Sequence, residues 1–192
     1  MNLSNKLTLS RIGITFVLMA LLFMEGLTAK VIVLILFLLA CLTDFLDGWI
    51  ARRRNETSDF GRIMDPVADK ILVLGVFLSF VELQLIPAWM VIVIIIRESL
   101  ITGIRLFAIR KGTVLAAQSA GKHKTVSQMV TIFFILVFLI VREAGIFFSF
   151  WSREFQFGFK AAIFILMSVT VILTLSSGLS YVWQNRKLIR SL

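Results

Sequence analysis

Four aspartates recur in a fixed cadence within the run DFLDGWIARRRNETSDFGRIMDPVAD, from Asp44 to Asp69. Asp44 and Asp47 stand three residues apart, and Gly48 and Ala51 continue the same stripe, because positions i, i+3, i+4 and i+7 share one face of a helix. Gly61, Asp65 and Asp69 recur every fourth residue, which makes a second such face. Two neighbouring helices would then each direct two carboxylates toward a common point, an arrangement that mutual repulsion forbids unless cations lie between them. With one cysteine, Cys41, and one histidine, His123, the chain lacks the ligands of a soft-metal site. All-oxygen ligation suits Mg²⁺, Mn²⁺ or Ca²⁺, and a divalent ion is the usual means of holding a diphosphate. Gly48, Ala51 and Gly61 leave a groove without side-chain bulk, through which a flat or phosphorylated ligand could approach the backbone. Singly, each is better explained by close helix packing; their alignment with the carboxylates favours the groove. Solvated carboxylates paired with Arg52, Arg53 and Arg54 would be the bland account of the acids, but Asp65 and Asp69 run inward along an apolar segment.

The elements that carry these residues are apolar. Of 192 residues 59% are hydrophobic, with 18 Phe and only two Pro, and the mean hydropathy is +0.96. That exceeds the roughly half-apolar composition of soluble domains and points to an all-α integral membrane protein. Measured against the roughly 20 apolar residues a bilayer core requires, spans are expected near residues 8–25, 30–52, 62–82, 87–108, 125–142 and 159–184. The joins are short, so residues 1–192 read as a single membrane domain without repeats or low-complexity tracts. Lys6 and Arg11 before an apolar run imitate a signal peptide, but no small-x-small cleavage site follows, so this segment reads as the first retained span. The aromatic stretch REAGIFFSFWSREFQF is expected along the membrane interface. Cys41 sits in an apolar run and reads as packing.

Charge sets the expected orientation. Fourteen of the 20 Lys and Arg residues fall on one side, among them Arg11, Arg52, Arg62, Arg105, Lys122 and Arg186, against four on the other, with Lys70 and Arg97 inside spans. Both termini, and with them the aspartates, are therefore expected at the cytoplasmic face of the cell membrane. Trp49, Trp89, Trp151 and Trp183 all fall near expected span ends, where indoles prefer to sit. The net charge of +9 is explained by this topology and by anionic lipid rather than by nucleic acid.

The pattern DxxDGxxARx8GxxxDxxxD, satisfied at Asp44, Asp47, Gly48, Ala51, Arg52, Gly61, Asp65 and Asp69, resembles the signature of the CDP-alcohol phosphotransferases, integral membrane enzymes of six transmembrane helices. The resemblance implies transfer of a phosphatidyl-type group from a CDP-linked donor to an alcohol, with release of CMP. It implies that Asp44, Asp47 and Asp65 ligate one or two divalent ions, Mg²⁺ or Mn²⁺ with two expected, that bridge the donor diphosphate. Asp69 would share in ligation and act as general base on the acceptor hydroxyl. Gly48, Ala51, Arg52 and Gly61, with Asp44 and Asp47, would line the CDP pocket. Members of the family are often homodimers.

A second, basic constellation bears on the acceptor. Arg105, Arg110, Lys111, Lys122 and Lys124 are expected in one cytoplasmic connection beside the aspartates. Positive-inside topology explains part of this charge; a pocket for an acceptor bearing its own phosphate explains the clustering, with Arg105, Arg110, Lys122 and Lys124 as its candidates. These stretches, with NKLTLSRIG at the N-terminus, resemble the phosphatidylglycerophosphate-forming branch of the family, whose donor is CDP-diacylglycerol and whose acceptor is sn-glycerol 3-phosphate. Arg97 and Glu98, adjacent in a span, are expected to orient other polar groups or reach the cytoplasmic side rather than touch substrate, and His123 to be an ordinary loop histidine. Sibling transferases acting on serine, inositol phosphate or phosphatidylglycerol share the aspartates. A prenyltransferase would space its acids differently, and a divalent-cation transporter would need a polar path beyond the one face where the acids gather.

Overall fold

The computed structural model describes residues 3–54, 59–110, 120–147 and 152–186, with side chains described over 9–43, 67–108, 121–146 and 152–186. Six helices follow one another: α1 Leu3–Leu22, α2 Leu27–Arg54, α3 Asp59–Glu82, α4 Ala88–Arg110, α5 Ala120–Phe147 and α6 Arg153–Gln184. No strand occurs among the described residues. Each expected span falls within one of these helices or within a few residues of its ends. The helices outrun the apolar windows because Lys, Arg and Glu are good helix formers and extend a helix beyond its greasy centre. Arg105 and Arg110 accordingly lie in α4, and Lys122 and Lys124 in α5, rather than in a loop. The aromatic stretch expected along the interface is divided between the last residues of α5 and the first turns of α6, with residues 148–151 outside the described residues. Ser152 caps α6, its hydroxyl accepting from the Phe155 N–H at 3.2 Å.

The tightest described turn joins α1 to α2. Gly26 takes a φ of 102°, which a side chain would resist. Lys30, buried, reaches back so that its ammonium donates to the Leu22 and Met24 carbonyls, both at 2.6 Å, satisfying acceptors the end of α1 leaves open. The Gly26 N–H donates to Glu143 of α5 at 3.3 Å.

Helix contacts give the arrangement. Both α1 and α5 pack on α2 and on α3, while α4 packs on α3 and α6, and α6 on α5. The fold is thus two helix quartets, α1–α2–α5–α3 and α3–α4–α6–α5, that share the α3–α5 pair. Leu72, Val73, Val76, Phe77 and Phe80 bury one broad stripe of α3 in the core, against Leu18, Phe37, Ile94, Ile135, Phe138 and Met167 from the other helices. Outside this core the surface stays apolar. Phe16, Leu38, Leu78, Leu100, Val130 and Ile172, one from each helix, are exposed. So much outward apolar surface suits lipid rather than water as the surrounding solvent. Gly121–Ile146 and Arg153–Gln184 are long and apolar enough to cross a membrane, and Leu9–Leu22 and Leu27–Thr43 are shorter apolar stretches. The chain is therefore described as an all-helical protein with at least two membrane-capable helices. Along α3 and α4 the apolar pattern is interrupted by Asp69, Lys70, Arg97 and Glu98.

Candidate active site

The aspartate register is built on unbroken helix. Asp44, Asp47, Gly48, Ala51 and Arg52 all lie within α2, and Gly61, Asp65 and Asp69 within α3. Helical geometry therefore puts Asp44 and Asp47 on one face of α2, and Gly61, Asp65 and Asp69 on one face of α3. The side chains of all but Asp69 lie outside the described residues, as does that of Arg110. Asp69 is half-buried. Among the described residues no group of three His, Cys, Asp or Glu side chains gathers as a metal site. The donor chemistry of the run nevertheless suits hard divalent ions, since it offers carboxylates on two helices and neither thiolate nor imidazole.

Beside Asp69 the structure assembles a charged layer that spans α3, α4, α5 and α6. Glu98 of α4 pairs with Lys124 of α5. The neighbouring Arg97 donates to the same Glu98 oxygen at 3.1 Å and, through its other terminal nitrogen, to the Ser177 hydroxyl of α6 at 2.9 Å. Lys70 of α3 donates to the Thr102 hydroxyl of α4. The charges of Asp69 and Glu98 both act on Lys70 and on Lys124, and those of Arg97 and Arg105 act on Lys70. Arg105, exposed, sets its guanidinium 5.9 Å from the centre of the Tyr181 ring.

Local sequence explains how the layer closes. On α6, Thr170, Thr174, Ser177, Gly178 and Tyr181 form one buried stripe at helical spacing, which leaves room and polarity where α4 and α5 approach. A Cβ at Gly178 would stand 3.0 Å from Arg97 Cγ and 3.1 Å from its Nε, so the arginine crosses α6 over a residue without a side chain. Farther along the seam the Thr131 and Thr170 hydroxyls bond at 2.9 Å. Several buried donors in this region, Arg97 Nε, Gln128 Nε2 and the Tyr181 and Thr174 hydroxyls, have no hydrogen-bond partner among the described residues. Such atoms mark places for water or a polar ligand.

The four basic candidates for an acceptor phosphate are thus distributed unequally. Lys124 is buried and held by Glu98, Arg105 lies on Tyr181 at the rim of the same layer, Lys122 is exposed, and the Arg110 side chain is not among those described. Arg97 and Glu98, expected to orient other polar groups or reach the cytoplasmic side, form the centre of the network and hold Ser177 and Lys124. His123 is exposed, and Cys41 is half-buried with its sulfur 3.9 Å from that of Met129. Ser177 and Tyr181 carry no sequence signal beyond a small or polar residue recurring along an apolar helix.

Comparison with known proteins gives concordant matches. The family described as CDP-alcohol phosphatidyltransferase matches residues 1–185. The chain is 39% identical over 148 residues, 71% of its length and 77% of the relative's, to the CDP-diacylglycerol--glycerol-3-phosphate 3-phosphatidyltransferase of Bacillus subtilis. It is 33% identical over 184 residues, 94% of its length and 80% of the relative's, to a probable phosphatidylglycerophosphate synthase of Mycobacterium tuberculosis. A CDP-diacylglycerol--glycerol-3-phosphate 3-phosphatidyltransferase of Rickettsia bellii is 33% identical over 144 residues, 75% of this chain and 77% of the relative.

Proposed function

Because the chain belongs to the CDP-alcohol phosphatidyltransferase family, we propose that it transfers a phosphatidyl group from CDP-diacylglycerol to sn-glycerol 3-phosphate, giving phosphatidylglycerophosphate and CMP. The observation that carries this reading is the aspartate pattern set on two unbroken helices, α2 and α3. The activities for which the relatives are named agree with it.

In this reading Asp44, Asp47, Asp65 and Asp69 hold one or two divalent ions, Mg²⁺ or Mn²⁺, and Gly48, Ala51, Arg52 and Gly61 line the pocket for the cytidine and diphosphate. When bound, the ions supply charge neutralisation to the donor diphosphate. Asp69 takes the proton from the acceptor hydroxyl as its oxygen bonds to the lipid-bearing phosphorus, and the phosphorus–oxygen bond to CMP breaks with the electron pair leaving on CMP. Lys124, with Arg105 nearby, holds the acceptor's own phosphate, which fixes the hydroxyl within reach of Asp69. We further propose six membrane spans in a single domain, both termini and the site at the cytoplasmic face, and assembly as a homodimer. Such a site lets a lipid donor stay in the membrane while a water-soluble acceptor arrives from the cytoplasm.

The test is release of CMP by the purified protein in detergent, supplied with CDP-diacylglycerol and a panel of acceptors. Fastest turnover is expected with sn-glycerol 3-phosphate. Equal or faster turnover with serine, inositol phosphate or phosphatidylglycerol would overturn the acceptor assignment, and absence of CMP release with every acceptor would overturn the reaction.

A further inference from the structure

Among the described side chains, cations outnumber carboxylates in the layer beside Asp69. Lys70, Arg97 and Lys124 contribute three cations against the two carboxylates of Asp69 and Glu98, and Arg105 adds a fourth at the rim. Glu98 is shared by Arg97 and Lys124, so it cannot neutralise both. Buried ionic groups are costly unless compensated, and the Lys124 ammonium has two further hydrogens beyond the one it gives Glu98, which an anionic ligand could accept. Two further donors point the same way: Arg97 Nε and the buried Tyr181 hydroxyl have no partner among the described residues.

Glu98 also solves a geometric problem. Lysine has a long flexible stem, and an ammonium loses rotamer freedom only where something holds it. Arg97 and Lys124 would repel each other without an intervening carboxylate. One Glu98 oxygen bonds both, tying α4 to α5 while Arg97 continues to Ser177 on α6.

We infer that Glu98 is a positioning residue for acceptor binding: from α4 it fixes the Lys124 ammonium in the layer beside Asp69, where Lys124 meets the acceptor's phosphate. This rests on the reading of the acceptor as glycerol 3-phosphate. Glu98 touches neither substrate and acts through Lys124. Its loss therefore weakens acceptor binding selectively and leaves the CDP-lipid side, carried by α2 and the start of α3, unaffected.

The experiment is a double-mutant cycle on the full-length protein in detergent, with Glu98→Gln, Lys124→Met and the double variant assayed for CMP release at varied glycerol 3-phosphate and CDP-diacylglycerol. Glu98→Gln is expected to raise the KM for glycerol 3-phosphate about tenfold, with the KM for the lipid changed less than about twofold. On the Lys124→Met background the same change is expected to add less than about threefold, because the residue through which it acts is gone. Equal increases in both KM values, or a full additional effect on the Lys124→Met background, overturn the inference. Should Glu98→Gln fail to fold, Glu98→Asp, which keeps the charge but draws it back by one methylene, is read for the same split. A folded Lys124→Met variant with an unchanged KM for glycerol 3-phosphate also overturns it. An unmodified enzyme that releases no CMP with glycerol 3-phosphate but does so with another acceptor removes instead the reading on which the inference rests.

Discussion

Lys124 of α5 and Glu98 of α4 meet as an ion pair whose side chains are only 10% and 11% exposed. The pair joins two consecutive helices, across 26 residues of sequence, in the layer beside Asp69. Burial makes it consequential: removing one partner strands the other in a low-dielectric setting, whereas an exposed pair would be nearly neutral.

The two lysines of the α5 entrance therefore separate in their effects. Lys124→Ala should raise the KM for glycerol 3-phosphate by about tenfold or more, with little change for the lipid donor. Lys122→Ala, at an exposed position, should change it less than about twofold. Steady-state kinetics on the two single variants decide the matter, and equal effects would assign both residues to general attraction of anions.

Asp69 is the proposed proton acceptor and stands half-buried next to Lys70. Asp69→Asn should lower kcat by at least about 100-fold, since an amide accepts no proton at neutral pH. Binding of CDP-diacylglycerol should survive in part, as measured by displacement of a labelled nucleotide. Near-normal turnover would remove Asp69 from the role of base.

Divalent ions provide a third check. Chelation should abolish CMP release, and Mg²⁺ or Mn²⁺ should restore it, because an all-carboxylate donor set prefers hard cations. Activity that persists after exhaustive chelation would refute the metal role.

A stability prediction concerns the opposite end of the bundle. Lys30→Met removes two hydrogen bonds to the Leu22 and Met24 carbonyls and should cost about 1–3 kcal/mol. Thermal unfolding in detergent should show a lower Tm, while turnover per folded molecule stays unchanged.

The sequence was most legible where function imposes spacing. Asp44 to Asp69 could be read because carboxylates at i+3 and i+4 mean something only on a helix, and both stretches are helical. Helix number was legible as well, since apolar runs of membrane length leave few alternatives. The partner of Lys124 was not. Glu98 lies 26 residues away, and a single sequence carries no record of which helices become neighbours. Arg97 and Glu98 were legible as groups that orient other polar groups, but their partners were not; only the packing of the helices reveals that one bonds toward α6 and the other toward α5. The division of the aromatic stretch between two helices was not legible either. Aromatic density says nothing of helix ends, whereas the Ser152 hydroxyl caps the first turn of α6.

The sharing of α3 and α5 by the two helix quartets has an evolutionary consequence. Under the proposed function, one quartet contributes the conjoined aspartate faces to the nucleotide-lipid, and the other presents Lys124, held by Glu98 and the Arg97–Ser177 contact behind it, to the incoming alcohol. Mutations in α4 and α6 can then retune which alcohol is accepted without disturbing the machinery that activates the donor. A lineage could diversify its head groups by drifting on one wall of the molecule, and chimaeras exchanging α4 and α6 would retrace that history in the laboratory.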